Sequence, residues 1–350
     1  MSDATLPRPD WRNSLAAIWR EQRVWIASAL ILLALAIFDP AQARSSALFA
    51  GGALLNTAPY LILSIAIAAW AGATGADNLI ARAFTGAPLL MIGLAALAGG
   101  ISPFCSCGVI PLIAALLAMG VPLSAVMAFW LASPIMDPSM FVLTAGVLDL
   151  EFAIAKTLTA IGLGIFGGVV VHVLAGNGAL ADPLREGIGN GGCGGAKIRA
   201  PKPVVWRFWA ETDRRAKFGK TAISTTMFLA KWLTLAFVLE SLMLAWLPAE
   251  TVTAALGGNG LWPIVTATLV GVPAYLNGYA ALPLVGGLME QGMASGAGMA
   301  FLVAGGVTSI PAAMAVWALA KPQVFALYIG LSLSGAFAAG LLFQLWVTMA

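Results

Sequence analysis

Cys105 and Cys107 form a Cys-x-Cys pair inside the run Ser102-Pro103-Phe104-Cys105-Ser106-Cys107-Gly108, just ahead of a new apolar segment beginning near Val109. Pro103 breaks any helix there, because proline removes an N–H donor and clashes with the preceding turn. A thiol beside the start of a helix is biased toward thiolate, the form that binds soft metals and metalloids. Two thiols so close in a non-helical turn could both reach one such centre, with Ser102 and Ser106 as neighbouring hydroxyls. The plain alternative is packing, since buried cysteine also serves as a small inert hydrophobe.

Two carboxylates stand out for a different reason. Asp137 lies between two prolines in Ala132-Ser133-Pro134-Ile135-Met136-Asp137-Pro138, and Glu240 lies in Phe237-Val238-Leu239-Glu240-Ser241-Leu242-Met243. Acidic residues within apolar sequence are costly enough to need a function. Asp137 is therefore the first candidate for proton coupling or gating and Glu240 the second, with Lys231 a poorly spaced partner for it. A carboxylate at the membrane interface is the alternative for Asp137. Lys156 and Glu290 are expected at the membrane surface, and His172, the sole histidine, at an interface.

These residues are exceptions in a chain of 350 that is 60% hydrophobic and 9% charged, with a mean hydropathy of +0.93. Soluble domains carry about 25% charged residues, so a soluble globular fold is excluded. Long apolar runs without period-two alternation satisfy their backbone as helices rather than as a β-barrel. The fold class expected is an all-α polytopic integral membrane protein with about eight to ten transmembrane helices.

Arg8, Arg12, Arg20 and Arg23 precede the first apolar run, and nine further basic residues, from Arg185 to Lys220, fill a central polar segment; together they are 13 of the 18 basic residues. The positive-inside rule places both segments in the cytoplasm, with an even number of crossings between them. The chain then divides into a cytoplasmic segment 1–23, a membrane half 24–175, a Gly-rich basic cytoplasmic loop 176–221 and a second membrane half 222–350. Nucleic-acid binding is not expected, because the central basic residues are interleaved with Asp182, Glu186, Glu211 and Asp213. A solvated linker with an amphipathic stretch at Trp206 to Trp209 accounts for them. Cys193, in the Gly-rich run, reads as incidental. Ala41-Gln42-Ala43 looks like a signal-peptidase site, but the long polar stretch ahead of the apolar run argues for a retained helix. Three cysteines make no disulfide framework.

The two halves resemble each other. Pro103 to Gly108 lies opposite Pro273-Ala274-Tyr275-Leu276-Asn277-Gly278 at an offset of 170. The offset then becomes 172, matching Pro111-Leu112 with Pro283-Leu284, Gly120 with Gly292 and Met127-Ala128-Phe129 with Met299-Ala300-Phe301. This order of matches points to two structural repeats, inverted if each has an odd number of spans, with discontinuous helices at equivalent places. Tyr275 and Asn277, opposite the cysteine pair, could line the other wall of a shared substrate cavity.

The runs Ser102 to Pro111 and Ala132 to Ser139 resemble the predicted permease family that contains the bacterial ArsP organoarsenical efflux permeases and the YraQ-like membrane proteins, with Pro103-Phe104-Cys105-Ser106-Cys107 as the most specific element. Gly108 and Asp137 depart from the Ser and Asn more usual there. The resemblance implies a multi-pass permease of the bacterial inner membrane that exports trivalent organoarsenicals such as methylarsenite. A dithiol fits that substrate, because trivalent arsenic already carrying one organic group has two ligand positions left. On this reading Ser102, Pro103, Cys105, Ser106, Cys107, Tyr275 and Asn277 bind substrate, with Cys105 and Cys107 ligating the metalloid as cargo. No cofactor is expected, the partners are a small molecule and the bilayer, and homo-oligomerisation stays open. A permease for another solute with structural cysteines, or a membrane thiol oxidoreductase, are the competing readings.

Overall fold

The computed structural model describes residues 11–75, 87–102, 109–118, 120–175, 180, 183–185, 204–246, 260–274 and 278–349. They form thirteen α-helices: α1 Trp11–Phe38, α2 Pro40–Thr74, α3 Pro88–Ile101, α4 Ile110–Ala118, α5 Leu123–Ala132, α6 Pro138–Val147, α7 Leu150–Ala175, α8 Thr212–Trp246, α9 Leu261–Ala274, α10 Gly278–Glu290, α11 Ser295–Thr308, α12 Ile310–Leu319 and α13 Pro322–Met349. Among the described residues there is no strand, only one isolated bridge between Leu184 and Ala320. The protein is an all-α polytopic membrane protein. Among the described residues four spans are long and apolar enough to cross a bilayer, five if the two parts of α2, bent by 45° beside Pro59, count as one. Pro59 explains the bend, since it removes an intrahelical hydrogen bond. Further apolar helical stretches among the described residues, including the part Gln22–Phe38 of α1, are 10–17 residues long.

Local sequence sets the breaks. Asp39 starts α2 by accepting from the Gln42 N–H, with Pro40 in the first turn, and Gly75 ends it in the left-handed region at φ 80°. That conformation favours glycine because it lacks a Cβ. In the middle of the bundle, α5 gives way to α6 across Ser133 to Asp137, and α11 to α12 across Ser309. Every residue of α5 except Phe129 is buried, as is every residue of α11 from Gly296 to Thr308. These two helices form the interior, whereas Leu30, Leu55, Leu158, Phe166 and Leu342 turn outward, as lipid-facing helices require.

Glycines set how closely the helices approach. A Cβ on Gly168 of α7 would lie 2.6 Å from Ile92 Cγ2 of α3, 2.9 Å from Ala128 Cβ and 2.9 Å from the Ser124 carbonyl of α5. A Cβ on Gly340 of α13 would lie 2.8 Å from Ile264 Cγ2 of α9, 2.8 Å from Ala300 Cβ and 2.6 Å from the Gly296 carbonyl of α11. All four positions in the second group follow their counterparts by 172 residues. The same holds for Gly99 against the Phe129 carbonyl at 2.7 Å and Gly271 against the Phe301 carbonyl at 2.8 Å.

These contacts also order the helices. Ile92 and Ser124 share a level at Gly168, and Gly99 and Ala132 meet further on, so α3 and α5 run side by side from one end of the bundle. Helix α4 must therefore return the chain to that end. Helices α7 and α13 run antiparallel: Gly335 lies against Leu163, and Gly167 lies near Leu331.

One end collects the central polar segment. The Val205 N–H donates to the Thr74 carbonyl at 3.0 Å, Arg214 to the Ala73 carbonyl at 2.8 Å and Lys217 to the Gly72 carbonyl. Cations there satisfy the carbonyls left bare at the end of α2 and complement its dipole. At Pro183 to Arg185 the chain is fastened to the α12–α13 junction by Arg185 N–H to Leu319, Lys321 N–H to Pro183 and Arg185 Nε to Ala320, with the guanidinium 4.5 Å from the Trp317 ring centre. Trp206 and Trp209 are exposed beside a short 3-10 turn, Phe208–Ala210, and α8 starts at Thr212, ahead of the expected 222.

Candidate functional site at the helix breaks

Two half-helices end together in the interior. Ser102 closes α3, its N–H donating to the Gly99 carbonyl at 3.0 Å, and Ser133 closes α5, its N–H donating to the Phe129 carbonyl at 3.0 Å. Gly99 packs against Phe129 and Ala132, which brings the two helix ends to one level. Both hydroxyls, Ser102 Oγ and Ser133 Oγ, are buried and have no hydrogen-bond partner among the described residues. Unpaired buried hydroxyls are expensive and mark a place where a polar ligand would be stabilised. Of the proposed substrate-binding residues, Ser102 therefore stands at the break as expected. Pro103, Cys105, Ser106, Cys107, Tyr275 and Asn277 lie outside the described residues, as does Cys193.

Asp137 has a clear local task. Its Oδ1 accepts from the Ser139 N–H at 2.8 Å and the Met140 N–H at 2.9 Å, so the carboxylate caps α6, with Pro138 in the first turn. Capping satisfies two of the four N–H groups that every helix start leaves unpaired. The side chain is half-buried. Glu240 is buried in α8 at 6% exposure, beside Ser241, whose hydroxyl donates to the Val238 carbonyl at 2.7 Å. Among the described residues the only salt bridge is Arg214–Glu211, so Glu240 gains no such partner; Lys231 lies instead over the Phe228 ring at 5.7 Å. No group of three His, Cys, Asp or Glu residues able to hold a metal ion occurs among the described residues.

Lys156 corrects the sequence expectation. Rather than lying at a membrane surface it is 1% exposed, on the inward face of α7. The missed signal was its spacing. Phe152, Lys156, Ala160, Leu163, Gly164, Gly167 and Val171 recur at helical intervals and are all buried, so Lys156 sits in a stripe of small and apolar residues. Glu290 and His172 are exposed. At the position 172 residues after Lys156 stands Tyr328, also 1% exposed, whose O–H donates to the Val307 carbonyl at 2.6 Å and whose ring lies 5.2 Å from that of Trp130.

The bundle as a whole matches a known family. The family model ArsP_1, described as a predicted permease, matches residues 43–345. A relative, the UPF0718 protein YcgR of Bacillus subtilis (strain 168), is 34% identical over 85 residues, which cover 24% of this chain and 29% of that protein. The matched stretch is thus less than a third of that relative's length. No solved structure matches. Because the family match takes in both helix breaks and the whole of α3 to α12, the chain belongs to the ArsP_1 family of predicted membrane permeases.

Proposed function

We propose that this permease exports trivalent organoarsenicals of the methylarsenite type from the cytoplasm, driven by a proton gradient, with Cys105 and Cys107 as the exchanging ligands. The observation that carries the reading is the position of the dithiol: it follows directly on Ser102, whose unpaired buried hydroxyl marks the interior end of α3. A substrate bearing two As–OH groups would exchange them for two As–S bonds, the thiol protons leaving with the hydroxyls as two waters. Release outward reverses the exchange, and turnover requires that the bound state not be too stable. Ser106 and Pro103 would shape this turn, and Tyr275 and Asn277 the facing wall.

Alternating access would come from two inverted repeats, α2 to α7 and α8 to α13. Support for the duplication lies in the contact sets that recur at 172 residues; support for inversion lies in the antiparallel course of α7 and α13. The end that gathers Arg185, Arg214 and Lys217 is assigned to the cytoplasm of a bacterial inner membrane, together with the N-terminus. Asp137 would gate or couple at the break, with Glu240 as a second acidic group.

Accumulation of methylarsenite in cells lacking other arsenic defences tests the reading. Expression of the wild type should lower it, and Cys105→Ser/Cys107→Ser should restore it. Unchanged accumulation with the wild type would reject the substrate, and export that survives loss of both thiols would reject the site.

A further inference from the structure

The same dipeptide closes both half-helices that end in the interior of the first half, Ser102-Pro103 after α3 and Ser133-Pro134 after α5. Ser102 belongs to the substrate turn above, whereas Ser133 has no role in it. We propose that Ser133 is a substrate contact: with Ser102 it binds the hydroxyl groups of a small neutral ligand, the two As–OH groups of a trivalent organoarsenical, when the break opens to admit it. This deepens the substrate assignment and rests on it.

The fold leaves these two hydroxyls unpaired although it pairs others by a simple local device. Buried Thr144, Thr268, Thr308 and Ser332 each donate to the carbonyl four residues back, at 2.6 to 2.8 Å. A helix satisfies a hydroxyl in this way without help from a neighbour. Ser133 has helical backbone, φ −59° and ψ −39°, and is 2% exposed, yet its Oγ has no partner; Ser102, at 7% exposure, has none either. At the matching helix end of the second half, Thr308 closes its hydroxyl on the Ala304 carbonyl. The unpaired pair is thus particular to the first break.

The groups around the two hydroxyls define what would complement them. Pro134 has no N–H to give the Trp130 carbonyl four residues back, and the Ser102 N–H turns to Gly99, three residues back. Each helix end therefore sets bare carbonyl oxygens, and the negative end of its dipole, beside its serine. Carbonyls only accept, and a serine hydroxyl both accepts and donates. A ligand carrying its own O–H groups satisfies both kinds of partner.

Spacing suits two such groups on one centre. A Cβ on Gly99 would lie 2.7 Å from the Phe129 carbonyl, the acceptor of the Ser133 N–H, and Gly99 itself accepts from the Ser102 N–H. The two serines thus hang from backbone groups in direct contact. Both Oγ atoms are closed off in the structure, so the free energy of pairing them is gained only by a state in which the break admits a ligand. A ligand that pairs them favours that state by the same difference.

Three measurements on the full-length protein test this. Because its hydroxyl is unsatisfied, Ser133→Ala should unfold in detergent at the same temperature as the wild type or higher, and a lower midpoint or a failure to fold overturns the proposal. In inside-out vesicles the same variant should raise the apparent KM for methylarsenite about three- to tenfold, the loss of one hydrogen bond, and an unchanged KM overturns the proposal. Methylboronic acid carries one methyl and two hydroxyl groups on a centre that is not thiophilic, so it probes the hydroxyl contacts without the cysteines. It should raise the unfolding midpoint of the wild type and of Cys105→Ser/Cys107→Ser, and not that of Ser102→Ala/Ser133→Ala. No effect on the wild type, or an equal effect on the double alanine variant, overturns the proposal. Absence of any methylarsenite transport by the wild type rejects the arsenical instead, and the boronic acid then decides whether the serines bind a hydroxylated ligand.

Discussion

Lys156 and Tyr328 occupy the same place in two helices, each six residues past the first residue of its own, α7 and α13, and each 1% exposed. They differ in what they meet. Tyr328 closes its polar atom on the Val307 carbonyl at the end of α11, while Lys156 forms no salt bridge among the described residues. Corresponding positions thus hold a hydrogen-bonded phenol on one helix and a buried amine on the other.

Removing the tyrosine hydroxyl should cost stability. Tyr328→Phe leaves the Val307 carbonyl without its donor, for a loss of about 1 kcal/mol. Thermal unfolding in detergent reads this, and a midpoint equal to that of the wild type would show that the hydrogen bond contributes nothing.

The glycine contacts predict equal sensitivity in the two halves. Gly168→Val and Gly340→Val each drive side-chain atoms into a neighbouring carbonyl and should each destabilise by about 1–3 kcal/mol. Gly162→Ala and Gly330→Ala, which open onto free space, serve as controls. Tolerance at one of the two packed sites and not at the other would contradict matched packing.

Asp137 separates charge from capping. Asparagine keeps an oxygen for the Ser139 and Met140 N–H groups, so Asp137→Asn should fold as the wild type does while losing the negative charge. Alanine removes the cap and should cost about 1 kcal/mol. Equal unfolding midpoints for the two variants would mean that the cap is not limiting.

Inversion is testable by labelling. Gly120 and Gly292 form the turns ahead of α5 and α11, both in the left-handed region, at φ 83° and 98°. With the native cysteines replaced by serine, Pro122→Cys and Gln291→Cys should react with an impermeant maleimide from opposite sides of the membrane. Labelling of both from one side would reject the inverted arrangement.

Much of this was legible in the sequence because proline and glycine act locally. Pro138 and Asp137 predict a helix start by steric fit and capping, and α6 begins there. The matches Gly120 with Gly292 and Met127-Ala128-Phe129 with Met299-Ala300-Phe301 predict equivalent turns and helices, and the structure has such turns and helices at both places. Lys156 was misplaced because a charge in an apolar segment was read by residue type, when the spacing of Ala160, Gly164 and Gly168 already put it on the buried face. Ser133 was missed for a different reason. Its importance comes from an unpaired hydroxyl, and whether a partner is present depends on how α3 and α5 meet.

The most direct measurement of the transport reading is uptake of methylarsenite into inside-out vesicles by the wild type and by Cys105→Ser/Cys107→Ser at matched expression. Acid-interior vesicles carrying the wild type should accumulate the compound, and those carrying the double serine variant should not. Equal accumulation by both would contradict a dithiol site at the end of α3.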